Sequence, residues 1–298
     1  MTKDNHQDLI AEFVSRGLVI LPPDDLGVPA SVHRSIYEKE RAAFSDNILI
    51  DASTIPEILQ VLNSPGVVKV CDEIIGEGWA IVPFTHNAPF VSGSHDQHWH
   101  KDDNGPFNGR RPRYHHPIQI EMLYYPQAVG PLMGPTATIP FSQYWTFNHE
   151  ENNDNFAGAD HLDFQYQIDG TEKVPVSGPK TEYSQEDILE KRTDHDLRLR
   201  EAVENIGWPF IEPYEVSPLE AGSVVLYSHN LFHRGNHRRD SFSNWKANPR
   251  FMWRFWLYRT SKVEEKKRME AKRPLVSGID SLTKQDLSSA GEDLHAIW

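Results

Sequence analysis

One cysteine, Cys71, stands in 298 residues. That excludes an intrachain disulfide and any zinc site built from thiolates. No apolar run approaches the ~20 residues a membrane-spanning helix needs, and the opening Met1-Thr2-Lys3-Asp4-Asn5-His6 carries no apolar leader. Positive charge is scarce as well. Thirty Lys and Arg face 43 Asp and Glu, a formal net charge of −13, which disfavours nucleic acid and anionic membranes as partners. The basic clusters Arg110-Arg111-Pro112-Arg113, His237-Arg238-Arg239 and Lys266-Lys267-Arg268 read as solvated loops and helix surface. The expectation is a cytoplasmic protein with a small-molecule partner and neither nucleic acid nor membrane. Oligomeric state is not legible.

What the chain does have is histidine next to acid. In Gln97-His98-Trp99-His100-Lys101-Asp102, His100 and Asp102 are separated by one residue in a segment read as a strand ending. Alternate strand residues share a face, so imidazole and carboxylate can converge. Two ligands hold a metal poorly. The best third candidate is His233 in Phe232-His233-Arg234-Gly235-Asn236, after the strand-like Ser223-Val224-Val225-Leu226-Tyr227. Two His and one carboxylate on one face of an octahedron are the ligands of non-haem Fe(II) oxygenases, which leave three positions open.

Around these residues the pattern changes twice. Leu9, Ile10, Phe13 and Val14 share a helical face over 7–15; Gly17 stops that helix, and Leu18–Leu21 reads as a buried strand. Further helices are expected over Val32–Phe44, from Ile55 to Leu62, and over Val67–Ile75. Strands follow from Trp79, with Ile118–Tyr125 alternating as a half-buried strand. Thr136–Pro140, Tyr214–Val216, Ser223–Tyr227 and Phe251–Tyr258 continue the series. A polar insert interrupts it and carries a helix over Gln185–Asn205. The expected fold is mainly β with a helical layer, a double-stranded β-helix (jelly-roll, cupin-like) barrel in one domain. Residues 1–78 form the helical layer, 79–147 and 213–260 the barrel core, 148–212 an insert or lid, and 261–298 a C-terminal helix and tail.

In this order the motifs resemble the phytanoyl-CoA dioxygenase family of Fe(II)/2-oxoglutarate-dependent oxygenases. The likeness runs from the Phe13–Leu21 opening through Trp99-His100-Lys101-Asp102 and Gly130-Pro131-Leu132 to Thr138-Ile139-Pro140-Phe141-Ser142. It continues in Ala221–Leu226, His233-Arg234-Gly235-Asn236 and Pro249-Arg250. Phe141 and Gln143 depart from the family's Pro-Gly-Ser-His. The resemblance implies His100, Asp102 and His233 as iron ligands, and Fe(II), 2-oxoglutarate and O2 as cofactor and cosubstrates. It implies Arg250 as the anchor of the distal 2-oxoglutarate carboxylate, a task suited to a bidentate fork, with Arg254 as the other candidate. Thr136 and Thr138 are candidates to hydrogen-bond the cosubstrate. A carboxylate at Asp102 argues for hydroxylation or desaturation, with succinate and CO2 released. The rival readings are a non-oxidative cupin-type metal or small-molecule binding module, and a zinc hydrolase on the same ligands.

Other histidines compete less well. His161-Leu162-Asp163 repeats the spacing inside the polar insert without a strand around it. His95, His98, His115, His116 and His229 read as loop or neighbouring residues. Tyr144, Trp145, Phe147, Trp253 and Trp256 are candidates for either pocket wall or core.

Overall fold

Gly17 is the first residue whose role the backbone makes plain. The computed structural model describes residues 3–46, 50, 52, 54–81, 90–91, 99, 119–144, 193, 196–197, 199–201, 203–205, 207–236, 238–240 and 247–259. In it, α1 (Lys3–Arg16) ends as Gly17 turns to φ 85°, its N–H bonded to the Phe13 carbonyl at 2.8 Å. A Cβ there would lie 2.6 Å from Gln143 Oε1 and 2.7 Å from Leu231 Cδ1. Only glycine fits both the left-handed backbone and the close approach. β1 (Leu18–Leu21) follows at once, with the bounds expected from the sequence.

The helical layer is α2 (Pro23–Leu26), α3 (Ala30–Ser45), α4 (Ile58–Leu62) and α5 (Pro65–Ile75). α2 was not expected. Pro23 occupies its first turn, where a missing N–H costs nothing. α4 starts later than Ile55, whereas α5 starts earlier than Val67, because the Ser64 side chain accepts from the Val67 N–H and caps it.

Strands β2 (Ala80–Ile81), β3 (Phe90–Val91), β4 (Gln119–Tyr124), β7 (Val224–Ser228) and β9 (Phe251–Tyr258) join β1 in one six-stranded sheet. Its order is β1-β7-β4-β9-β2, with β3 also on β9, and every pairing is antiparallel. β5 (Thr136–Thr138), β6 (Tyr214–Glu215) and β8 (His233–Gly235) form a three-stranded sheet in the order β6-β5-β8.

Alternation sorts the large sheet into two faces. Ile120, Met122, Tyr124, Val224, Leu226, Trp253, Phe255 and Leu257 turn outward and pack with Phe13, Ile36, Val67, Val70 and Ile74 of the helices. Each such fully buried side chain contributes roughly 1.5–3 kcal/mol, so this cluster dominates stability. Leu18, Leu123, Tyr125, Val225 and Tyr227 turn inward, toward the small sheet. β4 is therefore buried on both faces after Gln119; the expected half-buried strand is corrected, because the side its alternation assigned to solvent, that of Glu121, faces the barrel interior with Leu123 and Tyr125. Trp253 belongs to the outward core, its indole donating to the buried Glu40 carboxyl.

From the insert, the described residues within 193–205 are helical, as expected, and Leu199 and Val203 are buried with Trp99, Ala137, Ile139 and Phe232 on the far side of the small sheet. The expectations for 148–192, for Trp145 and Phe147, and for 261–298 lie outside the described residues. Among the described residues no helix is long and apolar enough to cross a membrane.

Candidate active site

The small sheet sets the inner direction of each candidate side chain. Thr138 pairs with His233, Ala137 with Arg234 and Thr136 with Gly235. Ala137 lies in the outer cluster with Trp99, so Thr136, Thr138 and His233 face inward. Contacts across the barrel agree. The His233 and Tyr227 ring centroids are 4.9 Å apart, and the Tyr125 hydroxyl and Thr136 Oγ1 are 3.0 Å apart.

His233 is 3% exposed, and its Nδ1 lies 3.1 Å from the Leu231 carbonyl. A carbonyl only accepts, so Nδ1 carries a proton, which leaves Nε2 as the ring nitrogen through which a metal would bind. Beside it the Thr138 hydroxyl is wholly buried and has no hydrogen-bond partner among the described residues. The preceding loop fixes the strand start: the Ser142 hydroxyl accepts from the Phe232 N–H at 2.8 Å, and the Phe232 carbonyl accepts from the Ile139 N–H at 2.9 Å.

That loop accounts for the two departures from the family motif. Phe141, standing where glycine was expected, has φ 68°, the left-handed conformation a glycine takes without strain. Gln143 donates its amide to the Val14 and Ser15 carbonyls, 3.2 Å each, tying the loop to the end of α1.

Arg250, just before β9, is 4% exposed. Its Nε has no partner, and no carboxylate pairs with it among the described residues. Its neighbours are the Tyr125 ring, 5.9 Å from Cζ, and the Met252 sulfur, 3.9 Å from Nη1. Burial lowers the guanidinium's pKa and raises that of Tyr125, while the charge of Arg250 pulls Tyr125 back. Arg238 adds a second positive charge nearby, itself paired with Asp240 and bonded to the Asn248 carbonyl at 2.6 Å. A buried cation without an acid costs several kcal/mol, and arginine cannot escape by losing its proton. The position is set by Gln127, whose Nε2 donates to the Phe251 carbonyl at 3.0 Å and whose Oε1 accepts from the Phe251 N–H at 3.1 Å. This side chain continues the β4–β9 ladder after β4 has ended. Sequence reading named Thr136 as a hydrogen-bonding candidate but missed Gln127 and Tyr125; only a three-dimensional register brings them beside Arg250.

Arg254 is differently provided for. Its Nε lies 2.7 Å from Oε1 of the wholly buried Glu121, an ion pair rather than an aligned hydrogen bond. Trp256 Nε1 donates to the other Glu121 oxygen at 3.1 Å, and the Trp256 ring lies 5.0 Å from His229.

His100 and Asp102 lie outside the described residues, as do His95, His98, His115, His116, His161 and Asp163. Among the described residues no three His, Cys, Asp or Glu gather as a metal site. Trp99, next to His100, is described and wholly buried. The residues that are described fit the implied groups: a histidine in the ligating tautomer, an orphaned hydroxyl beside it, and a buried guanidinium awaiting an anion.

No protein-family model matches the sequence and no curated protein is similar to it. Solved structures are similar in fold. The epimerase SnoN, in complex with Fe3+, α-ketoglutarate and nogalamycin RO, aligns with TM-score 0.50 and 11% identity over 95% of this chain and 94% of its own. EctD from S. alaskensis, with 2-oxoglutarate and 5-hydroxyectoine, aligns with TM-score 0.49 and 13% identity over 87% of this chain and 76% of its own. The chain thus has the jelly-roll, cupin-like barrel fold with added helices that the sequence implies.

Proposed function

We propose that this protein is an Fe(II)- and 2-oxoglutarate-dependent dioxygenase resembling the phytanoyl-CoA dioxygenases, which hydroxylates a small molecule, with residues 1–298 forming one oxygenase domain. The observation that carries the reading is Arg250, a buried guanidinium with no acid partner among the described residues, on the same barrel interior as His233. The SnoN likeness supports it, since that protein holds iron and α-ketoglutarate in the same fold.

In this reading His100, Asp102 and His233 hold the iron. Bound iron supplies the coupling of O2 reduction and keto-acid decarboxylation to substrate oxidation, with succinate and CO2 as products. Arg250 takes the distal carboxylate of 2-oxoglutarate through charge-assisted bonds, beside the Tyr125 and Thr136 hydroxyls. The Thr138 hydroxyl turns toward the cosubstrate. Leu18, Leu123 and Val225 wall the interior and exclude water, which strengthens the Arg250 interaction. Arg254 serves as the counter-ion of Glu121 and is not the cosubstrate's anchor.

Anaerobic titration of Fe(II)-loaded protein with 2-oxoglutarate tests the reading. A weak visible charge-transfer band is expected, absent in His100→Ala and shifted at least ~100-fold to higher 2-oxoglutarate in Arg250→Ala, the loss of about 3 kcal/mol. Iron bound without that band overturns the oxygenase reading in favour of a non-oxidative metal-binding cupin. Turnover with zinc and none with iron would make the protein a hydrolase.

A further inference from the structure

We propose that Asp196, in the segment between the two parts of the barrel, is a positioning residue that braces the two stretches of chain carrying the candidate histidine ligands against each other. The inference rests on the reading of His100 and His233 as ligands. It gives the insert a role other than that of a lid.

The geometry is a triangle. Trp99 immediately precedes His100, and Arg234 immediately follows His233. Trp99 Nε1 donates to Asp196 Oδ1 at 2.6 Å, and Arg234 Nη1 donates to the same oxygen at 2.9 Å. The third side is a cation–π contact, with Arg234 Cζ 4.3 Å from the Trp99 ring centre. Arg234 Nε also donates to Asn236 Oδ1 at 3.1 Å, and Asn236 reaches Glu215 on β6 at 3.2 Å. One carboxylate oxygen therefore fixes the distance between two segments that lie 135 residues apart in sequence from Trp99 to Arg234.

The face on which this happens matters. His233 looks into the barrel; Arg234, its strand neighbour, looks out. A hold on Arg234 thus sets the pitch of the strand without entering the site, as groups one step removed from a metal commonly orient its ligands. Arg234 is 3% exposed in its side chain and Asp196 33%, so the pair is shielded on the arginine side, where a charge-assisted bond is strong.

The brace is separable from the packing around it. Leu199 and Val203 attach the same helical segment to the outer cluster through apolar contact alone. Shortening Leu199 loosens that attachment and leaves the triangle's atoms intact.

The test uses full-length protein with Co(II) alone, followed by its visible ligand-field spectrum and by calorimetry, alongside thermal melts. Asp196→Ala is expected to weaken Co(II) binding ~10- to 100-fold and to alter the spectrum. Asp196→Asn, which keeps an acceptor for Trp99 but loses the charge facing Arg234, should fall between; it carries the test if the alanine variant does not fold. Leu199→Ala should lower the melting temperature yet bind Co(II) within about twofold of the parent, since the ligand-orienting contacts remain. Wild-type affinity in both Asp196 variants, or equal weakening in Leu199→Ala, overturns the brace. Parent protein that binds Co(II) no better than His100→Ala overturns the ligand reading itself, a different result seen before any Asp196 variant is compared.

Discussion

The two faces of β9 make opposite use of burial. Phe251, Trp253, Phe255 and Leu257 turn out toward the helices, while Met252, Arg254 and Trp256, with Arg250 before them, turn into the barrel. The outward side also buries Glu40 and His33, but each can shed its charge. Burial pushes the Glu40 carboxyl well up and the His33 imidazole down, both toward neutrality. Arginine has no such exit. Arg254 is met by Glu121, an anion built into the chain; Arg250 is met by none among the described residues. The outward face is arranged for stability, and the inward face keeps one cation, Arg250, that no carboxylate meets among the described residues.

Substituting the two arginines by methionine, similar in volume, breaks that comparison most sharply. Arg254→Met removes the cation from the wholly buried Glu121, and the ligand-free protein should lose about 3–5 kcal/mol of unfolding free energy. Adding Glu121→Gln should recover most of the loss, a coupling read from denaturant unfolding of the four proteins in the cycle. Independent, additive losses would mean that the pair does not act as one. Arg250→Met should behave in the opposite way. Its ligand-free melting temperature should stay level or rise, since a buried charge has been replaced by an apolar group, while 2-oxoglutarate ceases to raise it. Added 2-oxoglutarate at 100 times its Kd stabilises a competent protein by about 2.7 kcal/mol, so the missing increment is readily measured. A large destabilisation of ligand-free Arg250→Met would show that this side chain belongs to the fold after all.

That contrast marks how far the sequence can be read. The short β8 at His233 was not expected, whereas β1 and β9 have the bounds their apolar runs suggest and β7 lies within one residue of the expected Ser223–Tyr227. These are local patterns, visible in a window of a few residues. The choice between Arg250 and Arg254 was not local. Both point to one face, and they differ in which side chain lies beside them, Glu121 of β4 for Arg254 and Tyr125, just after β4, for Arg250. Alternation gives Glu121 to the solvent side of a half-buried strand, because nothing in its neighbourhood announces that this face closes on the barrel interior. Asp196 was illegible for the same reason. Its partners, Trp99 and Arg234, lie 97 and 38 residues away. Phe141 is the converse case: it departs from the expected glycine in residue type while keeping the backbone conformation that made glycine the expectation.

A smaller effect belongs to Gln127, which touches no candidate ligand group. Its paired hydrogen bonds to Phe251 fix the backbone next to Arg250. Gln127→Ala should raise the 2-oxoglutarate Kd about tenfold, the cost of losing one or two net hydrogen bonds, and leave Co(II) affinity unchanged. Parallel weakening of metal and 2-oxoglutarate would assign Gln127 to general stability instead.

The smallest predicted effect is on the outward face and has a sign fixed by pH. Glu40 has a folded-state pKa above the ordinary value of 4.5, chiefly through burial, with the Trp253 indole opposing the shift. A raised pKa means the folded protein holds the proton more tightly than the unfolded chain. The contribution is therefore fully present below about pH 4.5 and is lost as pH rises toward the folded-state value. Glu40→Gln keeps an oxygen for the Trp253 N–H and does not titrate. The variant should be more stable than the parent at pH 7 to 8, by about 1 kcal/mol, the scale of one poorly satisfied buried group, and the advantage should fade on acidification to pH 4. Stability curves that run parallel across that range would mean that Glu40 keeps the same protonation in both states, and the outward face would then hold a true buried charge as the inward face does.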